Sequence, residues 1–279
     1  MKSNFLTFLS SFIRRFSGKK GYGYASRTIL AHILRNKGLI PVVHTKSKIP
    51  VSLRCNLDDW IPWNVFLHGC YSKESGCEKC MINDSINAKC IFDVGANIGY
   101  YTLQFASLSQ KVFAFEPLSY QVSELEKNLS LNHFTNVQIT ENIVSSTNDQ
   151  LMRIYFSGIN NSGKSSVEVF SERYEDKYSI TLDSYCRQEN ISVIEIIKID
   201  VEGHELNVLR GMHFLLTHKR VLKIYIEINQ KTLAAANSSP EEVFSLLSSY
   251  GYRAYDISNG TRIARNDVFE APLVMFSQK

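Results

Sequence analysis

Two carboxylates flanking a pair of glycines carry the first chemical signal in this 279-residue chain. In KCIFDVGANIGYYTLQFASLSQKVFAFEP, residues 89–117, Asp93 stands within one short apolar run and Glu116 closes a second. Gly95, Ala96, Asn97, Ile98 and Gly99 form a tight turn after the first run. Leu103, Phe105 and Leu108 then follow a helical spacing, so the segment reads strand, glycine turn, helix, strand. Parallel strands of this kind present both carboxylates at their carboxyl ends, where open α/β sheets bind ligands. A dinucleotide fingerprint would need a middle glycine for the pyrophosphate, and here that glycine is missing. The turn better suits a ligand that is cationic at one end and carries ribose hydroxyls at the other.

S-adenosylmethionine has that form. Its zwitterionic methionine end would lie along the Gly95–Gly99 backbone, and Glu116 would accept hydrogen bonds from the two ribose hydroxyls. Asn142, just past a strand expected over 137–140, would come near the adenine edge. The plainer alternative is a structural βα turn in some other Rossmann-like protein, since one glycine turn is weak evidence alone.

A second informative stretch covers residues 193–205. The apolar run VIEIIKIDV is followed by Glu202, Gly203, His204 and Glu205. Strand pleat places Ile196, Lys198 and Asp200 on one face, so a lysine inside a central strand must be paired with a carboxylate. Such a pair serves structure as readily as catalysis.

The elements that must position these groups follow from the rest of the chain. With 44% hydrophobic and 21% charged residues the composition is ordinary and globular. The net charge of +4 is dispersed, with no basic block longer than Arg14–Arg15 or Lys19–Lys20, so nucleic acid is not indicated. Six cysteines, at 55, 70, 77, 80, 90 and 186, are too few and too uneven for a disulfide framework, which favours a reducing, cytoplasmic setting. Cys77 and Cys80 form a CxxC with Cys70 and His68 upstream, but the second pair of a strong zinc motif is missing.

Residues 1–20 form an amphipathic segment. Phe5, Phe8, Leu9, Phe12, Ile13 and Phe16 share one helical face, flanked by Arg14, Arg15, Lys19 and Lys20. Peripheral membrane contact through residues 1–17 and packing on the protein's own core are equal alternatives. Residues 21–88 read as an N-terminal cap, with a helix over 25–35, strand-like runs at 39–43 and 51–57, and a packing segment at 60–71. Residues 89–279 read as the main domain. Within it a helix is expected over 119–131, a β insertion or cleft wall at about 151–182, a helix over 206–216, a strand over 221–228, a helix over 241–250, and final strands near 252–257 and 273–276.

With both stretches in view the sequence resembles the FkbM family of S-adenosylmethionine-dependent methyltransferases. The resemblance is carried by FDVGANIGYYT at 92–102, FAFEP at 113–117, ITLDSY at 180–185 and above all IKIDVEGHELNVLRG at 197–211. It implies an α/β, Rossmann-like class I methyltransferase fold: a seven-stranded, mostly parallel sheet with one antiparallel edge strand, helices on both faces and an N-terminal helical cap. It further implies O-methylation, commonly of a sugar, polysaccharide or secondary-metabolite hydroxyl.

Methyl transfer from such a cofactor needs an aligned acceptor oxygen and a group to take its proton. His204 is the first candidate for the base because it titrates near neutral pH, with Asp200 orienting it or acting itself and Glu202 next. Helix N-terminal packing is the alternative for His204. Asp200, Glu227 and Asn229 also resemble the hard ligands by which catechol-type methyltransferases hold magnesium, so a divalent metal is possible but not favoured, and no metal ligand is assigned. A nucleic-acid methyltransferase and an inactive cofactor-binding module are the competing readings.

Overall fold

A computed structural model describes residues 22–46, 48–71, 76–156, 165–167, 171–255 and 273–278. The amphipathic segment expected at residues 1–20 lies outside them. Helix α1 (Tyr22–Asn36) leads into an antiparallel pair, β1 (Val42–His44) and β2 (Ser52–Arg54). Helix α2 (Trp60–His68) and helix α3 (Gly76–Asp84) follow. The second of these carries the CxxC, which reads as loop in the sequence.

Alternation then begins with β3 (Ile91–Val94), α4 (Tyr100–Leu108), β4 (Val112–Phe115), α5 (Ser119–Leu131) and β5 (Val137–Thr140). A second, smaller sheet is built from β6 (Ile143–Val144), β7 (Leu151–Phe156), β8 (Ser165–Ser166) and β9 (Tyr174–Ile180). Helix α6 (Leu182–Gln188) starts where the Thr181 side chain accepts the Ser184 N–H, and leads to β10 (Ile194–Ile199). Next come α7 (Glu205–Arg210), α8 (His213–Thr217) and β11 (Val221–Glu227). Then follow α9 (Gln230–Ala235), α10 (Pro240–Ser249), β12 (Arg253–Tyr255) and β13 (Leu273–Ser277).

Among the described residues the main sheet has seven strands in the order β12-β13-β11-β10-β3-β4-β5. The pairs from β11 through β5 are parallel, and β13 runs antiparallel to both β11 and β12. The antiparallel member therefore lies one place in from the edge rather than at it. Val274 and Phe276 bury into one core while Leu273 and Met275 pack against the other, so β13 is covered on both faces as an interior strand is.

The same two-sided burial explains why β3 and β4 are continuous apolar runs: every residue in both is buried. On one face Phe92, Phe113 and Phe115 surround the Tyr185 ring at centroid distances of 4.8 to 5.9 Å. On the other, Ile91, Phe105, Val112 and Tyr225 form a separate core. The helix expected over 206–216 is split into α7 and α8. At the split the Gly211 backbone lies so near the Ser145 carbonyl that a Cβ would stand 2.1 Å from its oxygen.

The N-terminal region is not a loose appendage. Leu34, Leu53, Trp63 and Phe66 share one core with Ala96, Ile98, Leu103 and Leu125. Strand β2 is also bonded along its free edge by two asparagines one turn apart, Asn128 on α5 and Asn132 at its C-cap. Asn128 Oδ1 accepts the Arg54 N–H at 2.9 Å, and Asn132 Oδ1 accepts the Ser52 N–H at 2.7 Å. The Asn132 amide returns a bond to the Ser52 carbonyl, and the Asn128 amide donates to Ile98 O at 2.9 Å, inside the glycine turn. Side chains thus complete the backbone pairing that an unpaired strand edge would otherwise lack.

Candidate functional site

A cleft opens at the carboxyl ends of β3, β4, β10 and β11, with about 980 Å³ of empty space continuous with solvent. The Gly95–Ile98 turn and Glu116 form one side, Asp200, Glu202 and Glu227 another, and Ser165 and Ser166 of the smaller sheet a third. The β insertion read from the sequence therefore does form a wall of the cleft.

The turn is satisfied from within. Gly95 N–H and Ala96 N–H both donate to the Phe115 carbonyl, at 2.9 and 3.0 Å. Asn97 N–H donates to Glu116 Oε2 at 2.9 Å and Leu118 N–H to Glu116 Oε1 at 3.0 Å. What the turn offers a ligand is a closely approachable backbone rather than a row of unused donors. Glu116 is only 3% exposed, yet it borders the cleft. Each of its oxygens keeps lone-pair capacity beyond the single backbone bond described, which is what a pair of adjacent ribose hydroxyls requires. Burial raises its pKa to about 7, with the two backbone N–H bonds opposing that rise.

Asp93 and Glu116 do sit on adjacent parallel strands. Asp93, however, is expected beside the ligand and instead lies beneath the turn, fully buried and off the cleft wall. Its Oδ2 accepts the Thr102 hydroxyl at 2.6 Å, and its Oδ1 faces Lys198 Nζ at 3.6 Å. The reason is pleat: Asp93 pairs in register with Lys198, whose charge needs a partner in the sheet interior.

Lys198 Nζ also donates to Asp200 Oδ2 at 3.1 Å. The lysine is 3% exposed, and the facing carboxylates outweigh its desolvation to hold it protonated. Asp200 follows Ile199 and Glu227 follows Ile226, a paired position, so the two carboxyl groups stand at neighbouring strand ends. The Asp200 charge first, and burial second, push Glu227 up to about 9, so Glu227 keeps its proton at neutral pH. Burial and the same acidic group raise the Tyr71 hydroxyl to about 12.

His204 is expected as a base and is placed otherwise. It borders the cleft but is 3% exposed, with Nε2 3.0 Å from Ser145 Oγ and Nδ1 3.2 Å from Asn207 Nδ2. Both ring nitrogens are engaged as the chain enters α7, so the ring ties β6 to that helix. Glu202 occupies a turn position with φ 51°, and its carbonyl accepts the Ser166 hydroxyl at 2.9 Å. Glu205, off the cleft, folds back so that Oε1 accepts the Val201 and Gly203 N–H groups. Asn142 stands on the cleft wall, its amide donating to Tyr178 O at 3.0 Å. Gly99 closes the turn as the N-cap of α4.

Tyr71 and Ile61 also line the cleft, although the N-terminal region gives no periodic signal for its packing direction, and Tyr100 lines it from the start of α4. Among the described residues no group of three or more His, Cys, Asp or Glu is arranged to hold a metal ion. Nor, among them, is any helix long and apolar enough to cross a membrane.

Residues 93–254 match the sequence model of the methyltransferase FkbM domain. The hexuronic acid methyltransferase AglP of Haloferax volcanii is 30% identical over 158 residues, which are 57% of this chain and 61% of that protein. The chain thus matches about three-fifths of the length of that relative. Among solved structures, a methyltransferase FkbM from Methylobacillus flagellatus KT aligns with TM-score 0.44 and 13% identity, over 78% of this chain and 55% of that one. SMU.1697c of Streptococcus mutans, in complex with SAH, aligns with TM-score 0.44 and 12% identity, over 75% of this chain and 100% of that one.

Proposed function

The chain belongs to the FkbM methyltransferase family, and on that premise we propose that it methylates a hydroxyl of a sugar or glycan using S-adenosylmethionine. The observation that carries the reading is Glu116, a nearly buried carboxylate at the end of β4 that borders the cleft and is fixed by two backbone N–H groups. Glu116 would hold the ribose, the Gly95–Gly99 turn the methionine end, and Asn142 the adenine edge. When bound, the cofactor supplies a methyl group already activated by its sulfonium charge.

The chain's own residues then have to orient the acceptor and take one proton. Asp200 is best suited to that role. It lines the cleft, and the Lys198 ammonium donates to its Oδ2 at 3.1 Å and so fixes its direction. An acceptor hydroxyl donating to Asp200 passes its proton there as the oxygen becomes nucleophilic. His204 serves as a positioning residue, through Ser145 and Asn207. The likeness to AglP, which is described as a hexuronic acid methyltransferase, supports a sugar acceptor.

The test pairs calorimetric titration with S-adenosylhomocysteine and label transfer from S-adenosylmethionine to monosaccharides and glycans. Binding together with transfer that Asp200→Asn abolishes, while leaving binding intact, is the expected result. Absence of binding overturns the cofactor assignment, and binding without transfer to any hydroxyl overturns the enzymatic one.

A further inference from the structure

Outside the cleft a second pocket holds a concentration of like charge. Lys46, Lys48 and Lys79 line it, the first two from the turn after β1 and the third from α3. Lys48 Nζ donates to Asn83 Oδ1 at 3.0 Å, leaving two ammonium protons for other acceptors. One carboxylate, Glu78, also belongs to the lining. It is 5% exposed and accepts the Tyr101 hydroxyl at 3.0 Å, and against it stand three exposed lysines, an excess of positive charge in the lining.

This pocket adjoins the cleft. Tyr100 lines both, and its ring meets that of Tyr71 edge-on at 5.9 Å. Lys46 N–H donates to Gly69 O at 2.7 Å, which ties the lysine turn to the segment that carries Tyr71. On one side of the tyrosine wall stand Asp200, with Lys198 beside it, and Glu202; on the other stand the three lysines. The lysine side attracts an anion, so it orients a molecule that bears both a neutral hydroxyl and an anionic group.

We propose that the pocket formed by Lys46, Lys48 and Lys79 is a phosphate subsite, which takes the diphosphate of a glycosyl carrier while the sugar hydroxyl reaches across Tyr100 to Asp200. The identification of the bound group as part of the acceptor rests on the methyltransferase reading; the anion site itself does not. Lysine is suited to phosphate as a compact point charge.

The experiment titrates the full chain with inorganic pyrophosphate, UDP and farnesyl diphosphate by calorimetry, at low and at physiological salt. Saturable binding that weakens with salt, and at least tenfold in Lys46→Gln/Lys48→Gln/Lys79→Gln, supports the site. The melting temperature and S-adenosylhomocysteine affinity of that variant should be unchanged, and the triple Arg variant should retain binding. A preference for UDP or for farnesyl diphosphate identifies the carrier as nucleotide or lipid. No binding, or binding equal in the Gln variant, overturns the proposal. If the diphosphates bind as expected but S-adenosylhomocysteine does not, the subsite stands and the methyltransferase reading fails.

Discussion

Gly95 and Asp200 approach so closely that a Cβ built on the glycine would lie 1.9 Å from the aspartate's carbonyl oxygen. The ends of β3 and β10 are thereby pressed together, and Gly95 also takes a left-handed φ of +82°. Gly95→Ala combines a strained backbone with a backbone clash, and should cost roughly 2–5 kcal/mol of stability. Urea denaturation checks this. A variant as stable as the wild type would show that the two strand ends separate freely.

Glu116→Gln keeps size and shape but sets an amide against one of two backbone N–H donors. Adenosylhomocysteine affinity should fall by roughly 1–3 kcal/mol, about 5- to 150-fold, on the scale of a lost charge-assisted bond. Calorimetry at neutral pH measures it, and an unchanged dissociation constant removes Glu116 as the ribose ligand.

Glu116 and Glu227 both have folded pKa values above the ordinary 4.5, at about 7 and about 9. The native state therefore holds protons that the unfolded chain releases. The stabilisation is complete below about 4.5 and is lost as pH rises through about 7 for Glu116 and about 9 for Glu227. Glu227→Gln stays neutral throughout, so its stability relative to wild type should improve between about pH 6 and about pH 9. Denaturation midpoints at the two values decide it; a gap that stays constant would mean that Glu227 does not hold its proton in the folded state.

Lys198→Met leaves Asp93 buried without its counter-charge. The expected loss is roughly 3–5 kcal/mol, with part of it restored by adding Asp93→Asn. A double-mutant cycle in guanidinium reads the coupling, and additive effects would show that the 3.6 Å contact contributes nothing.

Asn128→Ala orphans the Arg54 N–H and the Ile98 carbonyl together, for roughly 2–4 kcal/mol. Because Ile98 lies in the glycine turn, adenosylhomocysteine binding should weaken as well, and more than in Asn132→Ala. Equal affinities in the two variants would separate β2 from the turn.

The sequence speaks most clearly where burial is two-sided or spacing is regular. Strands β3 and β4 are unbroken apolar runs, α5 has a clean helical period, and Ser239 with Glu242 signals the start of α10 by a reciprocal cap. Helix α3 is hidden because Cys77, Glu78, Lys79 and Cys80 carry no apolar stripe. The Asp93 carboxylate reads as a ligand group because nothing local shows that Lys198, 105 positions later, will occupy the neighbouring register. The Asp200–Glu227 pair has the same origin: it exists only once β10 and β11 align. His204 has the right chemistry at the right strand end, but its role depends on Ser145, a contact across the fold. Gly95 is legible as indispensable, though the pressure on it comes from Asp200 and not from a ligand.

Asn128 and Asn132 make the N-terminal segment and the glycine turn mechanically inseparable parts. Transplanting the first half of a relative onto this sheet, to redirect which compound is modified, would disturb donor recognition unless the graft supplied a backbone edge those two amides can grip. Reprogramming such an enzyme by swapping modules would therefore have to start after Arg54, or carry α5 along with it.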